Sequence, residues 1–268
     1  MKDIYFLGGL PRSGNTLLSA LLNQNPDIYV SPMSPLLDNL QQIENTLFIH
    51  EATVCVDFEN NTVEGLKHYV KGFYSHISKP IILDRHKNWG SKDSIITACK
   101  YIAEMPKIIY TVRDIPSILA SFLSLVGNSE NNFIDNHVRE TQVKPYGKQT
   151  QNDLRCDWLM NGQVGKGLTD LTELLQVQVP VCLVEYDDLV KNPQKELNDI
   201  YDFLQLPHFM HDINNVEKQE QETLANAGLP TNLHDVRSKV EKTALDPKLV
   251  LPLHSQNKYS GLEFWRDR

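Results

Sequence analysis

Residues 8–18 read Gly8-Gly9-Leu10-Pro11-Arg12-Ser13-Gly14-Asn15-Thr16-Leu17-Leu18 and follow the apolar run Ile4-Tyr5-Phe6-Leu7. A glycine-containing turn between a buried strand and a helix aims several backbone N–H groups at one point, and the helix dipole adds positive potential there. Gly14 allows close backbone approach, and Ser13 and Thr16 add hydroxyl donors, so the turn reads as a phosphate cradle. It departs at one place from the phosphate-binding pattern G-x-x-x-x-G-K-[ST]. Gly9, Gly14 and Thr16 fit, but Asn15 stands where that pattern has lysine. The lysine is what reaches the outer phosphates of a nucleoside triphosphate. Here the positive charge comes three residues earlier, from Arg12, which points to an anion of different geometry.

The fold follows from the runs around this turn. Short, nearly continuous apolar stretches at 4–7, 81–83, 107–112 and 180–184 read as buried parallel strands, because they do not alternate. Helical patterns occupy 16–23, 35–48, 62–75, 92–103, 115–125, 167–175 and 192–204, with Ser91 as an N-cap and Pro116 and Pro193 in first turns. Strands alternating with helices predict an α/β fold, a doubly wound parallel sheet flanked by helices, in one domain over 1–268. Residues 126–165, rich in Asn, Gln, Gly and charge with a helical piece at 154–160, are expected to cap a substrate cleft. Beyond about 206 the chain turns polar and irregular and is expected to wrap back over the site.

Composition narrows the function. A net charge of −8 argues against nucleic acid or a highly sulfated polysaccharide as the main partner. No run approaches the roughly 18 apolar residues of a membrane span. Lys2 and Asp3 lie directly before the first strand, so no leader is expected, since its removal would take the loop with it. Cys55, Cys99, Cys156 and Cys182 are widely spaced with no C-x-x-C and read as buried free thiols of a cytoplasmic protein.

A second stretch, YTVRDIPSILASF at 110–122, puts Arg113 at the end of a predicted strand, where open α/β sheets place ligands. Ser121 follows eight residues later, about two turns into a helix. Arginine offers phosphate a fork of donors, and serine adds a hydroxyl. LPRSGNTL at 10–17 and this stretch together resemble the sulfotransferases that use 3′-phosphoadenosine 5′-phosphosulfate (PAPS). The first is similar to their P-[KR]-[ST]-G-[TS]-[TS] loop, which holds the 5′-phosphosulfate, with Asn15 in place of the usual Ser or Thr. The second is similar to the segment whose arginine and serine bind the 3′-phosphate. The resemblance implies a P-loop-NTPase-like sulfotransferase fold. It implies Arg12, Ser13, Gly14, Asn15, Thr16, Arg113 and Ser121 as PAPS contacts, 3′-phosphoadenosine 5′-phosphate (PAP) as product, and no metal requirement. The acceptor implied is a small molecule with a hydroxyl or amine. VEYDDLVKNP at 184–193 is similar to the family's Y-E-D-L-x-x-x-P segment and makes Tyr186 the candidate adenine contact.

In-line sulfuryl transfer depends on positioning and on stabilising charge that grows on the bridging oxygen, a task for Arg12 and the loop N–H groups. An acceptor hydroxyl must also lose its proton. In IILDRHKNW at 81–89, His86 occupies a place similar to that of the family's catalytic histidine, and imidazole ordinarily changes charge near neutral pH. Asp84 stands where those enzymes have lysine, which leaves Arg85 as a replacement cation, or Asp84 as an orienting group or the base itself. The same apolar-then-Asp run fits a Walker B strand, so a P-loop small-molecule kinase is the runner-up, against which the missing lysine counts. A non-catalytic nucleotide-binding protein on the same fold is the third reading. NLHDVRSK at 232–239 clusters cations, and the family closes its 3′-phosphate site with a basic C-terminal segment. Arg237 or Lys239 is the candidate there, with His234 as a second proton-handling group. The acceptor site is expected in 31–60 and 126–165, where Tyr29, Met33, Phe48, Phe133, Tyr146 and Trp158 either line it or belong to the core.

Overall fold

The computed structural model describes residues 2–55, 58–127, 132–217, 236–242 and 245–267. Five parallel strands, β1 (Asp3–Gly9), β2 (Ile28–Val30), β3 (Ile81–Arg85), β4 (Ile108–Val112) and β5 (Val181–Glu185), stand in the order β2-β3-β1-β4-β5. The first strand is central, and the chain winds outward from it in both directions. The helices are α1 (Asn15–Leu22), α2 (Leu36–Leu47), α3 (Glu51–Cys55), α4 (Glu59–Phe73), α5 (Lys92–Tyr101), α6 (Ile115–Val126) and α7 (Phe133–Glu140). They continue as α8 (Gln151–Asn161), α9 (Gln163–Gln176), α10 (Tyr186–Lys191), α11 (Pro193–Leu204), α12 (Pro247–Val250) and α13 (Leu253–Tyr259).

Neighbouring residues of a strand face opposite sides of a sheet, and here both sides are covered. Phe6, Tyr110 and Val112 pack with Trp89 and helices α6, α8 and α9. Leu7, Ile109 and Val184 pack with Leu18, Leu21, Leu197 and Ile200 on α1 and α11. This is why the runs are apolar throughout rather than alternating. All strands point the same way, so the loop after β1 and the ends of β3, β4 and β5 meet at one edge.

Several local expectations change. β2 has three residues and follows α1 closely, too short to stand out as an apolar run. The expected helix at 154–160 is longer, Gln151–Asn161, because Thr150 and Asp153 form a reciprocal capping box. The one at 167–175 begins earlier, at Gln163. Cys55 and Cys99 are exposed, so burial of the thiols holds only for Cys156 and, in part, Cys182. Among the described residues no helix is long and apolar enough to cross a membrane. Residues 245–267 fold back on the body: Ser255 donates to Asp153 at 2.6 Å, and Trp265 and Arg266 both donate to Glu185 at 2.7 Å.

A buried ion pair clips α7 to α8. Arg155 Nε donates to Asp135 Oδ1 at 2.8 Å, a terminal guanidinium nitrogen donates to Oδ2, and both side chains are buried. Arg155, with Gln151 and Asn132, holds the Asp135 carboxyl down at about 2. Removing one partner strands the other charge in the interior, so Arg155→Ala is expected to lower stability by about 3–5 kcal/mol in denaturant titration. A carboxyl depressed on folding stabilises above its unfolded pKa of about 3.9. That contribution should fade as pH falls from about 4 to about 2 and be absent from Asp135→Asn, whose acid-unfolding curve is the control.

Candidate active site

The loop after β1 is fastened to β4. Leu10 N–H donates to the Thr111 carbonyl at 2.9 Å. The Ser13 hydroxyl lies 2.6 Å from the Leu10 carbonyl and 2.5 Å from Thr111 Oγ1. Ser13 is fully buried, so its hydroxyl serves the loop, and what it offers a ligand is its backbone. There is no room for a side chain at Gly9, where a Cβ would fall 2.1 Å from Thr111 Oγ1. Gly14 has φ 93°, and a Cβ there would fall 2.8 Å from the Tyr186 ring. Arg12 sits at φ 61°, a left-handed conformation costing a non-glycine residue roughly 1–2 kcal/mol. Asn15 turns its amide back under the loop, with Nδ2 3.4 Å from the Leu10 carbonyl, instead of presenting it as a donor. Its Oδ1 is buried with no partner among the described residues. Helix α1 starts at Asn15 with no side-chain cap.

The two motifs meet in space. Arg12 Nε donates to the Ser121 hydroxyl at 3.1 Å, across 109 residues of sequence. Arg113 donates to the Arg12 carbonyl at 3.1 Å and lies 4.1 Å over the Tyr186 ring. Arg113 is 8% exposed, and its Nε has no partner among the described residues. Burial lowers the pKa of both guanidinium groups, and for Arg12 the Arg113 charge adds to it. Arg85 brings a third cation, donating to Thr16 Oγ1 at 3.2 Å. Tyr186, expected against adenine, is itself covered by the loop at Gly14 and by Arg113, which it braces.

A cavity of about 340 Å³ opens beside Arg113, lined also by Ser117, Asp187, Lys242 and Asp246. Lys242 reaches Asp187 at 3.3 Å and is the C-terminal cation at this cavity. Arg237 pairs with Glu241 in solvent at 3.1 Å and does not line it, and Lys239 is exposed. Only the returning chain brings Lys242 here, and no motif marks it in the sequence. His234 lies outside the described residues.

Near the end of β3, Asp84 is fully buried and accepts from Ser34 Oγ at 2.5 Å, Tyr74 OH at 2.6 Å and Trp89 Nε1 at 2.7 Å. Burial pushes its pKa up, and the three donors oppose that. A carboxylate so enclosed is a packing hub; it is available neither as a base nor as the metal ligand of a Walker B strand. Ser34 Oγ also receives the Leu36 N–H, so Asp84 sets the start of α2. His86 is 6% exposed; its Nδ1 accepts the Asn88 N–H at 3.2 Å, and its Nε2 lies 3.3 Å from Asp38 Oδ2. Asp38, in the first turn of α2, was not marked by any motif. Of the aromatic and apolar acceptor candidates, Tyr29, Phe48, Phe133 and Trp158 pack against the core, whereas Met33 and Tyr146 are exposed.

Gly14→Ala is expected to cost about 1–2 kcal/mol through its φ and to displace Tyr186 besides. Sulfate should raise the melting temperature of the wild type and not of this variant. Gly147→Ala, also at positive φ but facing open space, should keep the response.

A sequence profile of the Sulfotransferase family matches residues 5–212. The sulfotransferase domain from the curacin biosynthetic pathway shares the fold, with a TM-score of 0.60 and 18% identity over 96% of both chains. The sulfotransferase domain from the Synechococcus PCC 7002 olefin synthase aligns at TM-score 0.46 and 21% identity, over 93% of this chain and 86% of that one. Mouse sulfotransferase SULT7A1 complexed with PAP aligns at TM-score 0.44 and 15% identity, over 78% of this chain and 61% of that one. No curated protein sequence matches the chain. The matched span holds the loop, Arg113, Ser121 and Tyr186, and by it the chain belongs to the sulfotransferase family.

Proposed function

We propose that the protein transfers the sulfuryl group of PAPS to a hydroxyl or amine of a small-molecule acceptor. The observation that carries this reading is Arg113, a buried guanidinium tied to the loop through the Arg12 carbonyl, whose Nε has no partner among the described residues. Asp114 and Asp187 offset part of this charge, and an anion at Nε adds the direct hydrogen-bonded partner that a buried charge needs. The uncapped start of α1, the bare backbone at Gly14 and the nearby Arg12 suit a second anionic group. Two anion sites joined by one arginine fit a nucleotide phosphorylated at both ends of its ribose, and the cavity beside Arg113 gives the 3′ end room, with Lys242 at its rim.

PAPS supplies a sulfuryl group already bonded to a good phosphate leaving group. Arg12 and Arg85 are placed to stabilise charge building on that phosphate, and their contribution is greatest where the charge is greatest. The His86–Asp38 pair handles the acceptor's proton. Segments 31–60 and 126–165 carry the acceptor cleft in this reading. The kinase alternative is weakened by Asp84, whose oxygens are already engaged by three protein donors.

Incubation with labelled PAPS and a panel of alcohols, phenols and amines tests the reading, and transfer to at least one acceptor is expected. A hydrogen-bonded charge is worth about 1.5–3 kcal/mol, so Arg113→Ala should raise the KM for PAPS about 10- to 150-fold. Arg237→Ala should leave it unchanged. Phosphorylation of an acceptor from ATP, with no transfer from PAPS, contradicts the proposal.

A further inference from the structure

We infer that Asp38, not His86, takes the proton from the acceptor hydroxyl, and that His86 is the residue that positions it. The inference rests on the sulfotransfer reading above and deepens it. Which ring nitrogen of a histidine carries the proton is set by the hydrogen bond the other makes. His86 Nδ1 accepts the Asn88 backbone N–H at 3.2 Å, so in the neutral ring the proton is on Nε2. That N–H faces Asp38 Oδ2 at 3.3 Å. Neither ring nitrogen then has a lone pair to offer a substrate, and the ring is 6% exposed. Asp38 is the open member of the pair, with its side chain 64% exposed.

The surrounding contacts hold Asp38 in place. Asp84 binds Ser34, Ser34 caps the Leu36 N–H, and Ser34 N–H donates to the Arg85 carbonyl at 2.9 Å. The first turn of α2 is thereby fastened to the end of β3, next to the residue whose guanidinium touches the loop at Thr16. The His86 backbone N–H donates to the Leu7 carbonyl at 3.1 Å, which joins the pair to β1 as well. In the step itself the acceptor O–H bond breaks and its proton goes to a carboxylate oxygen of Asp38. The freed electron pair forms the new O–S bond, while the bond from sulfur to the phosphate oxygen breaks and its pair leaves with PAP. Asp38 afterwards loses the proton to water.

The test uses the full chain with labelled PAPS and the acceptor of the panel sulfated fastest, with PAP affinity by calorimetry and a thermal melt for each variant. General base catalysis contributes about 10²–10⁴-fold, so Asp38→Asn should lower kcat by that much with PAP affinity unchanged. His86→Gln keeps an N–H donor toward Asp38 but cannot accept a proton. It should retain kcat within about tenfold of wild type and exceed His86→Ala. The nitrogen-15 spectrum of the wild-type neutral ring should show the proton on Nε2, and this and Asp38→Asn decide the matter if His86→Gln does not fold. Asp38→Asn turning over within threefold of wild type overturns the assignment, as does a neutral His86 protonated on Nδ1. If the wild type neither binds PAP nor transfers label, the sulfotransfer reading falls and this inference with it. PAP binding with intact Asp38→Asn turnover removes this inference alone.

Discussion

The Arg113 guanidinium lies 4.1 Å over Tyr186 and donates to the Arg12 carbonyl at 3.1 Å, joining β4, the loop and the start of α10. A buried cation needs compensation; the Tyr186 face, one carbonyl and the charges of Asp114 and Asp187 supply part of it, and Nε has no partner among the described residues. The loop bends to meet this group: Arg12 takes a left-handed conformation, Gly14 has no space for a side chain against Tyr186, and Ser13 turns inward to hold the bend. In that arrangement Arg12 reaches Ser121, and the two sequence motifs become one structure. A left-handed Arg12 beside a buried guanidinium with one unmet donor among the described residues is the kind of local strain that clusters at ligand sites.

The end of β3 is organised around a buried carboxyl group. Asp84 gathers Ser34, Tyr74 and Trp89, three donors from three segments, and so fixes α2 and the β3 end relative to each other. Its burial keeps it from the chemistry, and its effect is transmitted through Ser34 to the turn that carries Asp38. In the proposed reading Arg12, Arg85 and Arg113 form the cationic part of the site and the His86–Asp38 pair its proton-handling part. A negative group seated at the first and an alcohol approaching the second is the geometry that in-line transfer requires.

Much of this was legible in the residues. Strands buried on both faces announce themselves as unbroken apolar runs, which is why β1, β3, β4 and β5 were readable and three-residue β2 was not. The loop and the Arg113–Ser121 spacing stand out in the sequence because they combine particular residue types at particular intervals, and the structure brings the two together through Arg12. Side-chain direction was not: Ser13 looked like a ligand donor and turns inward, Asn15 folds back on Leu10, and Tyr186 supports Arg113. Asp84 looked chemical because its burial by Ser34, Tyr74 and Trp89 is set by long-range packing. Lys242 and Asp38 carry no local signature, since each becomes relevant only through a contact with a distant segment, Asp187 and His86.

In the proposed reading Arg113 binds a 3′-phosphate, which an ATP enzyme does not need. Calorimetry comparing PAP with adenosine 5′-monophosphate, without divalent metal, isolates that contact. A 3′-phosphate contact to a buried arginine, worth about 1.5–3 kcal/mol, predicts that PAP binds about 10- to 150-fold more tightly. Equal affinity for the two nucleotides, or binding only of ATP with Mg²⁺, would contradict the account.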